Sequence, residues 1–86
     1  MPKLLTPDQI EALRAVPLGD MPNKLRIALA LAQANQADII EETGIATPNL
    51  SRIVNGKYVD LQFETTRKLA DFFGCDPRDL FPSRAA

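Results

Sequence analysis

The chain contains no histidine and one cysteine, Cys75, among its 86 residues. The missing histidine removes the commonest metal ligand, and a lone cysteine excludes both an intrachain disulfide framework and a multi-cysteine zinc site. Such cysteine usage fits a reducing cytoplasm, and Cys75 itself reads as a small apolar side chain rather than a redox sensor. Long apolar runs are also lacking. Residues 25–34 form the longest candidate, contain Gln33 and fall well short of the roughly 20 residues that cross a bilayer. The expectation is no signal peptide, no membrane anchor and no membrane partner. An excess of basic charge is absent too, with ten Lys and Arg against eleven Asp and Glu, for a net charge of -1. Global electrostatics therefore do not announce a nucleic-acid partner. No strand pattern and no internal repeat is visible, and no nucleophile-base pair calls for an enzyme or a cofactor.

What is present is a normal supply of apolar residues, 45% of the chain, with 24% charged, which suits one small folded unit rather than a disordered segment. Charge is distributed unevenly. Residues 52–68 hold Arg52, Lys57, Arg67 and Lys68 against Asp60 and Glu64, while Asp8, Glu11, Asp38, Glu41, Glu42, Asp71, Asp76 and Asp79 lie elsewhere. A modest one-sided basic face is expected, because binding depends on local rather than total charge. Asp38, Glu41 and Glu42 have the spacing of a solvated helix face.

Local signals divide the chain into helices. Thr6-Pro7-Asp8-Gln9 starts one over residues 7–15, with Thr6 as cap, Pro7 in the first turn and Gln9 closing a capping box. Ile10 and Leu13 mark its apolar stripe before the proline-rich break at 17–22. Residues 1–21 are thus expected as a helical appendage, 22–82 as the main domain and 83–86 as a disordered tail. A helix over 23–34 carries Leu25, Ala28, Leu29 and Ala32 on one face. Asn35 can cap the next, which ends at Gly44. Thr47-Pro48 opens another, with Leu50, Ile53 and Val54 apolar and Asn55-Gly56 as its stop. Phe63, Thr66, Ala70 and Phe73 mark a further helix ending at Gly74, and a last turn starts at Asp76-Pro77.

The segments 36–43, 44–46 and 47–55 supply the brace, the turn and the exposed second helix of a helix-turn-helix. With Ile39, Ile40, Ile45, Leu50 and Ile53 turned inward, Thr47, Pro48, Asn49, Ser51 and Arg52 are left to face outward. Arg52 alone among these can bond a guanine edge bidentately. Thr47 has two competing uses, capping its helix and reading a base. Arg52 likewise has an alternative, as a surface arginine paired with Asp60.

Four runs in this order carry a family resemblance: Asn35-Gln36-Ala37-Asp38-Ile39, then Gly44-Ile45-Ala46. Next come residues 49–57 (Asn-Leu-Ser-Arg-Ile-Val-Asn-Gly-Lys) and residues 69–81, from Leu69 to Phe81. Residues 25–81 resemble the phage-repressor-like (Cro/C1, or Xre-type) DNA-binding domain, over about two thirds of the chain. The resemblance implies an all-α fold, a five-helix lambda-repressor-like helix-turn-helix domain, here with an additional short N-terminal helix. It further implies base contacts from Thr47, Pro48 and Arg52 and phosphate contacts from Gln36, Asn49, Ser51, Asn55 and Lys57. Leu80 and Phe81 stand in the family-typical dimer surface, with Ile10 and Leu13 of the first helix as the other candidate.

Where family members often pair an arginine with a glutamate, this chain has Leu29 and Val54, a joint change to apolar residues that keeps the fold consistent. Ile40 replaces a usual alanine, and the loop before Phe63 is about one residue longer than usual. The implied function is a homodimeric regulator, a repressor in the usual case, reading a pseudo-palindromic operator in duplex DNA. The alternative from another class is a protein-binding module, an antitoxin or adaptor, on the same fold.

Overall fold

The computed structural model describes residues 3–58 and 61–82. Among them lie six helices: α1 (Pro7–Ala15), α2 (Leu25–Ala32), α3 (Gln36–Thr43), α4 (Thr47–Val54), α5 (Phe63–Phe73) and α6 (Pro77–Leu80). The all-helical fold class expected for a Cro/C1-type domain, with one added N-terminal helix, is the fold observed. Asp60 and the tail 83–86 lie outside the described residues.

Three helices begin at reciprocal caps, which explains why their starts are readable locally. Thr6 Oγ1 accepts from the Gln9 amide while Gln9 Oε1 accepts from the Thr6 amide. Asn35 and Asp38 do the same for α3, both at 3.0 Å. Asp76 and Asp79 close the third box, at α6. Each box satisfies amides that the first turn of a helix leaves unpaired, typically contributing about 1 kcal/mol. The helix expected over 23–34 is shorter at both ends. Asn23 stays outside, its Oδ1 accepting from the Leu25 amide, and Gln33 turns left-handed at φ 54° so that the Ala34 amide closes on the Leu29 carbonyl.

The core is one cluster drawn from every helix. It centres on Leu13, Leu25, Ile39, Leu50, Leu69, Phe73 and Leu80, all 0% exposed. Phe72 and Phe73 meet edge to face with centroids 4.9 Å apart, a favoured aromatic geometry. Leu29 and Val54 are both buried in this cluster. Being apolar, neither buried side chain needs a charged or hydrogen-bonding partner there.

Two expectations meet a different arrangement. Phe63 is 68% exposed, so the inward stripe of α5 runs through Thr66, Leu69, Ala70, Phe72 and Phe73 instead. The segment expected as an appendage is built into the core. Leu5 and Leu13 are buried, the Leu5 amide donates to the Phe73 carbonyl at 2.8 Å, and Gln9 Nε2 donates to the Leu31 carbonyl at 2.9 Å. At the other end of α1, Lys24 is buried with its Nζ on the Leu13 and Arg14 carbonyls, where a cation meets the negative end of the helix. Arg14 Nε bonds Asp79 Oδ1 at 2.8 Å, joining α1 to α6 and raising the guanidinium pKa through that hydrogen bond and charge. The radius of gyration, 11.7 Å, matches the roughly 12 Å of a single 86-residue unit with α1 folded in.

Candidate nucleic-acid interface

The brace and the second helix of the motif are held by a short, well-determined turn. Gly44 caps α3 at φ 76°, in the left-handed region that costs a side-chain-bearing residue about 1–2 kcal/mol. Thr43 Oγ1 donates to the Ile39 carbonyl at 2.7 Å and accepts from the Ile45 amide at 3.3 Å, so one hydroxyl spans the end of α3 and the turn. Helix α3 packs on both α4 and α5. This sets the inner face of α4 against the body of the protein.

That inner face is Leu50, Ile53 and Val54, all buried. Pro48, Ser51, Arg52 and Asn55 recur at steps of 3, 1 and 3 residues, and thus form one stripe on the opposite side of a helix of 3.6 residues per turn. Thr47, Pro48, Asn49, Arg52 and Asn55 are exposed, and Ser51 is half-buried. Thr47 does not cap α4. Ala46 occupies the cap position, there is no side-chain cap bond, and Thr47 is the first helical residue, so its hydroxyl is not committed to the helix end. Pro48 in the first turn lacks an N–H that would be unpaired there in any case. Arg52 makes no hydrogen bond or ion pair with any described residue.

An open hollow of about 660 Å³ adjoins this stripe, lined among others by Asn49, Arg52, Lys57, Tyr58, Gln62 and Thr65. It gathers Arg52, Asn49 and Lys57, three of the residues singled out from sequence, with the start of α5. Neither α4 nor α5 has a side-chain cap, so the Thr47 and Asn49 amides of α4 and the Phe63 and Glu64 amides of α5 remain available to an anion, whereas the Thr65 amide already donates to the Gln62 carbonyl. Gln36 stands apart on the first turn of α3, half-buried. The stretch 52–68 does not gather as one basic face. Lys68 sits instead in a hollow with Glu42, Thr43, Asp71 and Phe72, between α3 and α5, where acids offset its charge.

Leu80 and Phe81 are 0% and 2% exposed and belong to the chain's own core. Within the single chain these two side chains expose almost nothing to a second copy, because both pack against the rest of the core. Leu13 is likewise internal. A residue that the sequence reading passed over is Arg26, whose Nη2 donates to Asn55 Oδ1, while Asn55 Nδ2 points to Ser51 Oγ at 3.5 Å. The helical periodicity of α2 leaves Arg26 off the apolar face, but its meeting with a residue 29 positions away has no local signature.

A buried-inward, polar-outward α4 held behind a glycine turn is the geometry of a helix-turn-helix reader. The Cro/C1-type HTH DNA-binding domain family model matches residues 24–82, more than half of the chain. The chain belongs to the Cro/C1-type helix-turn-helix DNA-binding family. It is 34% identical over 61 residues to an uncharacterized HTH-type transcriptional regulator of Methanocaldococcus jannaschii, spanning 71% of this chain and 91% of that one. No solved structure matches the chain.

Proposed function

We propose that the chain is a sequence-selective duplex-DNA-binding transcription regulator that inserts α4 into the major groove. The observation that carries this is the outward stripe of α4, with Arg52 unpaired among the described residues beside a hollow that also holds Asn49 and Lys57. In this reading Thr47, Pro48 and Arg52 meet base edges, Arg52 as the bidentate donor and Pro48 by apolar contact. Gln36, Asn49, Ser51, Asn55 and Lys57 hold phosphates and fix the register.

One such domain contributes few cationic contacts, so the reading includes a homodimer on a pseudo-palindromic operator, with half-site centres about 34 Å apart. Repression by occupying the promoter is the simplest regulatory outcome. The dimer contact falls to surface other than Leu80, Phe81 and Leu13.

Selection of bound sites from a random duplex pool tests the whole reading. A palindromic consensus with two half-sites one helical turn apart is the expected result. A failure to bind any duplex at low salt would overturn it in favour of a protein-binding module on the same fold.

A further inference from the structure

Helix α2 delivers a cation to the far end of the reading helix. Pro22 lies against Gly56, so closely that a Cβ on Gly56 would stand 2.2 Å from Pro22 Cβ. One residue on, Asn23 Nδ2 donates to the Ile53 carbonyl at 2.7 Å. These two contacts clamp the start of α2 to the end of α4. They set the exposed Arg26 beside the exposed Asn55 at the rim of an open hollow of about 360 Å³, which Asp20, Met21, Pro22, Asn23 and Val54 also line.

The chemistry of this corner is specific. A helix C-terminus carries about half a negative charge in its unpaired carbonyls, so the end of α4 alone repels a phosphate. Arg26 reverses that sign. Its guanidinium has five N–H donors, of which Nη2 uses one on Asn55 Oδ1. Asp20 lines the same hollow yet forms no ion pair with Arg26. Because Arg26 occupies the carbonyl side of the Asn55 amide, the Nδ2 is turned to the side of Ser51, whose Oγ lies 3.5 Å away.

We propose that Arg26 is a DNA phosphate-binding residue that also orients the Asn55 amide, extending the interface from α4 onto α2. This rests on the DNA-binding reading above. The guanidinium makes a charge-assisted contact to a backbone phosphate flanking the groove that α4 enters, while the Asn55 Nδ2 donates to the same phosphate.

The test is a salt titration of duplex binding by the full chain, Arg26→Gln and Arg26→Lys, with thermal melts of all three. Arg26→Gln is expected to bind every duplex about ten-fold more weakly near 0.1 M salt, with the log-log salt slope smaller by about one and the order of site preference unchanged. Arg26→Lys keeps the slope because the charge remains. Melting temperatures should coincide, since Arg26 is exposed. A wild-type slope in Arg26→Gln, whatever its affinity, overturns the assignment of Arg26 while leaving the DNA-binding reading intact. Absence of salt-dependent binding by the wild-type chain overturns that reading and this one with it.

Discussion

The α1–α6 corner and the outer face of α4 handle polar groups in opposite ways. At the corner the buried and half-buried polar side chains are used internally: Lys24 on two carbonyls, Asp79 on Arg14 and on the Asp76 amide, Gln9 on the Leu31 carbonyl. On α4 the cap position is alanine, Thr47 is uncommitted and Arg52 reaches no described partner. The difference separates stability from recognition. Groups that satisfy one another hold the chain together, and groups left open toward water are the ones free to exchange water for a ligand.

That division is broken most severely at Leu13. Leu13→Ala should destabilise the fold by about 4 kcal/mol, the cost of a large cavity at a fully buried leucine. A true appendage would lose less than about 0.5 kcal/mol. Urea unfolding of the variant decides between these. Next comes Gly56→Ala, expected to cost about 3 kcal/mol, because the left-handed φ of 73° and the close approach of Pro22 act together. Gly44→Ala is its control: at φ 76° but with nothing within 4 Å, it should cost only about 1 kcal/mol. Equal losses for the two glycines would show that Pro22 yields freely.

Changes on the recognition side should leave unfolding almost untouched. Arg52→Ala is expected to weaken binding of the preferred site by about 2 kcal/mol and to relax selection at one base pair, with stability within about 0.5 kcal/mol of wild type. If its selected consensus equals that of the wild type, Arg52 reads no base. Lys57→Ala should act more weakly, by about 1 kcal/mol on every duplex alike, and lower the salt slope by about one.

The same division explains what could be read in the sequence. Capping boxes at Thr6, Asn35 and Asp76 involve residues two or three apart, and a glycine stop needs only its own φ, so helix ends were legible at α1, α3, α5 and α6. The buried and exposed faces of α4 followed from helical spacing in the same way. Arg14 with Asp79 and Arg26 with Asn55 were not legible, being 65 and 29 residues apart and brought together only by packing. Leu80 and Phe81 carry no mark that distinguishes a core residue from an interface residue, since both are simply apolar. Phe63 shows the converse, an aromatic in register with a helical stripe yet left outside, while Leu61 just before it and Thr66 just after it are buried.

The smallest expected effect concerns Cys75, on the stability side of the comparison. It is half-buried at the end of α5, and desolvation first, then the charges of Asp79 and Asp76, push its thiol from 9.0 up to about 12. The folded chain thus holds the proton more tightly than the unfolded one. The stabilisation is complete below pH 9 and is lost as pH rises toward 12. Unfolding of wild type should therefore become easier across this alkaline window, and Cys75→Ser should remove that part of the slope while leaving duplex affinity at neutral pH unchanged. At neutral pH the thiol should alkylate more slowly in the folded chain than in urea, because the thiolate is the reacting form. Equal alkylation rates would place Cys75 in open solvent and end its role in the corner.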